Sequence, residues 1–177
     1  QLTVSLDSEW TAELTDKGVK GLVLDLRLNP GGLLDSAWQI SDLFIDDGII
    51  VSIRPRAGRP LTYSGTTEGS LLDFPMVCLV NGGSASASEI VSACLQDHHR
   101  AIIVGSRSYG KGSVQEVEYL KDGSVLRVTI AKWLTPKGRD IDKEGVMPDR
   151  EVIDEDLLDD KDTVLDAAQE YLRNLQN

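Results

Sequence analysis

Met76-Val-Cys-Leu-Val80 is an unbroken run of five apolar residues. A strand on an open antiparallel sheet can alternate and leave one face in water. A fully apolar run has to be covered on both faces, as in a parallel sheet flanked by helices. Small residues follow, Asn81-Gly-Gly-Ser-Ala-Ser86, and then Ala87–Leu95, where Ile90, Val91, Cys94 and Leu95 recur at helical spacing. Strand, tight turn and helix make half of a crossover unit, and the chain repeats the theme. Gly21–Leu28, Ile49–Ile53 and Ala101–Val104 read as further strands, and Leu33–Phe44 as a helix with Leu33, Leu34, Ala37, Ile40, Leu43 and Phe44 on its apolar side. Val114–Tyr119 and Val125–Trp133 alternate as a hairpin across Lys121-Asp-Gly123. A strand is expected near Leu61–Tyr63, a C-terminal helix over Asp162–Leu175, and a strand Leu2–Leu6 with a short helix Ser8–Leu14 at the start. The pattern predicts one α/β domain with right-handed crossovers.

A chain of 177 residues, 41% hydrophobic, can bury a substantial core. Its net charge of −11 disfavours a nucleic-acid partner, which calls for a basic face, and an anionic membrane surface. No apolar run approaches the roughly 20 residues of a membrane span. Cys78 and Cys94 fall on an apolar strand and an apolar helix face, without metal-ligand spacing. They read as buried free thiols, with a disulfide left open.

The chemistry concentrates on a serine and a lysine. Ser86 ends the turn before the Ala87–Leu95 helix, where free N–H groups and the helix dipole favour negative charge. Ser86-Ala-Ser-Glu89 is also a capping box, which would explain the serine structurally. Ser84 and Ser88 are rival nucleophiles. A serine needs a base, yet the only histidines, His98 and His99, sit side by side on a polar stretch. Lys111, between Gly110 and Gly112, can serve if burial lowers its pKa. If a strand starts near Lys111, Gln115 shares its face and can hold the amine. The competing reading of Gly105–Lys111 as a phosphate-binding loop meets two objections: Gly112 stands where Ser or Thr is needed, and a strand rather than a helix follows. Asn29-Pro-Gly-Gly32 is a strand-to-helix turn whose glycines can aim an N–H into a cleft. Asp25 and Arg27, on the strand before it, are expected to pair with each other or with loop groups.

Taken in order, four segments resemble the carboxyl-terminal processing peptidases, or tail-specific proteases, of the S41 class. They are Gly21-Leu-Val-Leu-Asp-Leu-Arg-Leu-Asn-Pro-Gly-Gly32, Val80–Ile90, Gly105–Gln115, and Trp133–Arg139 with Gly145–Asp149. The resemblance implies a ClpP/crotonase-like core. It implies a serine endopeptidase with Ser86 as nucleophile, Lys111 as general base and Gln115 orienting the lysine. Gly31, Gly32 and Ala87 are then the oxyanion donors. It implies neither metal nor cofactor, protein substrates with apolar C-termini, and an extracytoplasmic setting in periplasm, cell envelope or chloroplast lumen. Residues 1–177 are then the protease catalytic domain, without the PDZ domain the family usually carries ahead of it. A non-catalytic scaffold on the same fold, an acyl-CoA enzyme on the related fold, and a nucleotide-binding protein using Gly105–Lys111 are the alternatives.

Overall fold

Every side chain of the central strand Met76–Val80 is buried. Its alternation divides the core in two: Met76, Cys78 and Val80 face one way, Val77 and Leu79 the other. In the computed structural model, which describes residues 18–66, 74–153 and 161–175, this strand lies inside an all-parallel sheet. In chain order the elements are β1 (Leu22–Asp25), α1 (Leu34–Asp42), β2 (Ile49–Pro55), β3 (Leu61–Ser64) and β4 (Met76–Val80). There follow α2 (Ala87–Asp97), β5 (Ile102–Gly105), β6 (Ser113–Tyr119), β7 (Val125–Leu134), β8 (Arg150–Glu151) and α3 (Thr163–Asn174). The parallel sheet runs β1-β4-β5-β8, with Leu24 beside Cys78 and Cys78 beside Ile103. The second sheet, β3-β2-β7-β6, is antiparallel.

The larger core lies where α1, α2 and the antiparallel sheet meet the parallel one. Ala37 and Ile40 of α1, Val91 and Cys94 of α2, and Val51 and Trp133 of the second sheet are buried together there. Because α2 is enclosed nearly all round, its buried residues include the polar Ser88, Glu89 and Ser92. On the opposite face, Val164, Ala167, Ala168 and Leu172 of α3 cover Val77, Leu79 and Val104. A fully buried Val or Leu contributes about 1.5–3 kcal/mol, so these contacts hold α3 in place.

The α/β domain expected from the sequence is present, and β4 falls where predicted. β1 stops at Asp25 rather than Leu28, because the chain turns at Leu28, whose φ is 56°, to reach the glycine turn. The two-residue β8 had no apolar pattern to announce it. The expected elements Leu2–Leu6 and Ser8–Leu14 lie outside the described residues. Both cysteines are free and fully buried, and burial pushes the Cys94 thiol up to about 12 and Cys78 higher still. No helix among the described residues is long and apolar enough to cross a membrane.

Candidate active site

Three loops meet at the N-terminal end of α2. The first is the turn after β4. Ser86, its last residue, has φ 57° and ψ −116°, a conformation that costs a non-glycine residue about 1–3 kcal/mol and persists only where its surroundings impose it. They do so on both sides. Ser84 Oγ donates to the Leu26 carbonyl at 2.7 Å and accepts the Asn81 N–H at 3.0 Å. Ser88 Oγ donates to the Asn29 carbonyl at 3.1 Å, which also takes the Ala85 N–H. Both rival serines are therefore fully buried and engaged in tying the β4 turn to the glycine turn.

The second loop is Asn29–Gly32. Gly31 has φ 100°, and a methyl group on it would sit 2.5 Å from the Ala85 carbonyl oxygen and 2.8 Å from Ser86 Cβ. Only glycine lets this backbone press against Ser86. The expectation that Gly31 offers a donor to the cleft needs correcting. Its N–H is taken by Asn29 Oδ1 at 3.0 Å, in the local bond that asparagine side chains make with a backbone two residues on. Gly32 and Ala87 do line the cleft, and Ala87, as the first residue of α2, has no intrahelical acceptor for its N–H.

The third loop, between β5 and β6, carries Lys111. Its backbone is held at both ends of one residue: the Lys111 N–H donates to Glu89 Oε2 at 2.9 Å, and its carbonyl accepts Trp133 Nε1–H at 2.9 Å. Tyr109 N–H bonds the Ser84 carbonyl, which locks this loop to the turn that carries Ser86. A strand, not a helix, follows the lysine, so the phosphate-binding geometry is not formed.

Glu89 was legible only as the second half of a capping box, and it does accept the Ser86 N–H at 2.8 Å. What the sequence did not disclose is its reach across to the lysine loop. Fully buried, it also accepts Ser108 Oγ–H at 2.5 Å, Gly110 N–H at 2.6 Å and the Lys111 N–H. A carboxylate has about four acceptor positions, and donors occupy all of them. The available signal was a glutamate in the first turn, directly before the apolar pair Ile90 and Val91.

Ser86, Lys111 and Gln115 line one cavity of about 420 Å³, together with Gly32, Leu33, Ala87, Ile90, Val117, Arg127 and Trp133. Ser86 is half-buried, whereas Lys111 and Gln115 are exposed. Burial of Lys111, expected from the sequence, is thus not met, because the cleft is open beside the β6–β7 ribbon, whose outer half projects into solvent. Among the described residues Lys111 Nζ forms no hydrogen bond with Ser86 or Gln115. The histidines lie elsewhere: His98 bonds the Ile49 carbonyl and His99 meets Lys137. Among the described residues no group of three or more His, Cys, Asp or Glu could hold a metal ion.

Behind the glycine turn, Arg27 fastens the sheet to α3. It forks onto Asp25 and, at 2.7 and 2.6 Å, onto both oxygens of Asp162. Asp162 also caps α3 by accepting the Leu165 N–H. The Arg27 bond holds the Asp162 carboxyl below the usual carboxylate range, and Asp162 and Asp25 together raise the Arg27 guanidinium.

The chain belongs to Peptidase family S41, whose profile matches residues 7–152. It is 52% identical over 136 residues to a carboxy-terminal-processing protease of Bartonella bacilliformis, covering 76% of this chain and 31% of that protein. It is 41% identical over 159 residues to a carboxyl-terminal-processing protease of Synechocystis sp., covering 90% and 37%. Among solved structures, a photosystem II D1 C-terminal processing protease superposes with a TM-score of 0.77 at 39% identity, over 93% of this chain and 42% of that one. The chain spans about a third of the length of the curated relatives it matches.

Proposed function

We propose that this domain is the catalytic unit of a serine endopeptidase that cuts polypeptides near their C-terminal tails. Ser86 is the nucleophile and Lys111 the base. The observation that carries the reading is the strained Ser86 at the start of α2, sharing one cavity with Lys111. In the first step the neutral Lys111 amine takes the Ser86 hydroxyl proton as Oγ attacks the peptide carbonyl. The oxyanion meets the N–H of Ala87, at the N-terminus of α2, and that of Gly32 in the glycine turn. Collapse expels the amine product, which leaves with the proton from Lys111, and an ester on Ser86 remains. Water, activated by the same lysine, then releases the carboxylic acid and restores the serine.

Lys111 is exposed at the open side of the cleft. A substrate strand laid against Leu33, Val117 and Trp133 would exclude water from the amine and favour its neutral form. Gln115, which lines the same cavity, would orient that amine. The names of the relatives support C-terminal tails as substrates, and a further relative, a chloroplastic C-terminal processing peptidase of Tetradesmus obliquus 43% identical over 154 residues, supports an extracytoplasmic setting. A PDZ domain in the full-length protein would serve substrate capture. Cleavage of an unfolded protein with an apolar C-terminus, compared between this chain and its Ser86→Ala variant, tests the reading. Serine-dependent cleavage is expected; equal cleavage by both would overturn it.

A further inference from the structure

The cleft extends past Gln115 along the β6–β7 ribbon to Val117 and Arg127, which face each other across the ladder. Arg127 also forms part of the wall of a second cavity, of about 540 Å³, over β2 and β7. That cavity is cationic: Arg54, Arg56 and Lys132 line it with Arg127. Arg54 stands directly opposite Lys132 in the β2–β7 register, an unfavourable placement for like charges. Asp140 relieves it, 2.8 Å from Lys132 and 3.8 Å from Arg54, with Asp142 3.5 Å from Lys132. Among the described residues Arg56 and Arg127 have no ion-pair partner, and both are exposed. Glu116 and Glu118 alternate with Gln115 and Val117 along β6, so they stand on its other face. On a chain of net charge −11, two uncompensated guanidinium groups, Arg127 on the wall shared by cleft and cavity and Arg56 in the cavity beside it, run against the surface as a whole.

We propose that Arg127 and Arg56 receive a carboxylate of the polypeptide substrate, at a position removed from the bond presented to Ser86. A guanidinium fork matches a carboxylate in shape as well as charge. The carboxylate is either an Asp or Glu side chain or the free chain terminus. The inference rests on the peptidase reading of the cleft, and it deepens that reading by setting a charge preference.

Binding of fluorescent peptides to the Ser86→Ala chain tests it without requiring turnover. An apolar peptide with an amidated end is compared with versions carrying an internal Glu scanned along its length, the matching Gln, or a free C-terminal carboxylate. A carboxylate should tighten binding about fivefold, and the gain should vanish at about 0.5 M salt. A gain for Glu over Gln assigns a side chain, and a gain for the free end over the amide assigns the terminus. Arg56→Glu with Arg127→Glu should abolish the gain and turn the preference towards a Lys peptide. Lys121→Glu, the same charge change at the ribbon tip, should leave the preference in place. Equal binding of carboxylate and neutral peptides, or a preference that survives the double reversal, overturns the proposal. Failure of the peptidase reading shows separately, as absence of Ser86-dependent cleavage of the neutral peptide.

Discussion

The backbone N–H groups of Ser86 and Lys111 donate to the same atom, Oε2 of Glu89, at 2.8 and 2.9 Å. One buried oxygen thus sets the spacing of the residue that would attack and the residue that would take its proton. Oε1 fixes the rest of the lysine loop through Ser108 and Gly110.

Glu89→Gln keeps the shape but turns one acceptor into a donor that faces donors. A hydrogen bond to a charged group is worth about 1.5–3 kcal/mol, and an unsatisfied buried donor costs a similar amount. Denaturant unfolding should therefore show a loss of about 2–4 kcal/mol. Turnover should fall through kcat, because the Ser86–Lys111 spacing relaxes. Unchanged stability and kcat would mean that the shared oxygen is incidental.

The buried serines separate from Ser86 by role. Ser84→Ala removes a hydroxyl that both donates to Leu26 and accepts from Asn81, and should cost about 1–2 kcal/mol. Mass spectrometry after a serine-acylating probe should still find one adduct on that variant, and none on Ser86→Ala. Labelling of Ser86→Ala would move the nucleophile elsewhere.

Gly31→Ala places a methyl group 2.8 Å from Ser86 Cβ at a φ of 100°. Contact and conformation together should cost about 1–3 kcal/mol in stability, with turnover lost at temperatures where the fold persists. Circular dichroism beside an activity assay checks this. A fully active variant would show that Gly31 need not press against Ser86.

The Arg27–Asp162 bond sets a pH dependence. Because the folded Asp162 carboxyl is depressed, its contribution is present above the unfolded carboxylate value of about 3.9 and is lost as pH falls through the lower folded value. Asp162→Asn keeps an acceptor for the α3 cap but removes the charge. At pH 7 it should be less stable by about 1 kcal/mol, a modest figure because Asp162 is partly exposed. Urea titrations should show the gap closing below about pH 4.

Periodicity made β4 and α2 legible because each buries its apolar residues, and the β6–β7 hairpin legible through its alternation and its Lys121-Asp-Gly123 turn, although its outer half stays exposed. It could not show how the two sheets meet, since Val51 and Trp133 look alike in sequence whichever sheet they cover. Ser86 and Lys111 stood out by local context, a serine at a strand–helix turn and a lysine between glycines. Glu89 did not, because three of its bonds reach residues at or beyond Ser108, and long-range partners leave no mark in a local motif. At Gly31 the side chain of Asn29 competes for the very N–H that a cleft would use. The burial expected of Lys111 depends on what fills the cleft, which lies outside any reading of the chain alone.

The most direct measurement is the turnover of Lys111→Ala beside the unmodified chain, with unfolding curves to show that both are folded. A positioned general base is worth about 10²–10⁴ in rate, so loss of cleavage by at least that factor is the expected result. A folded Lys111→Ala variant that cleaves at the original rate would contradict the pairing of Ser86 with Lys111.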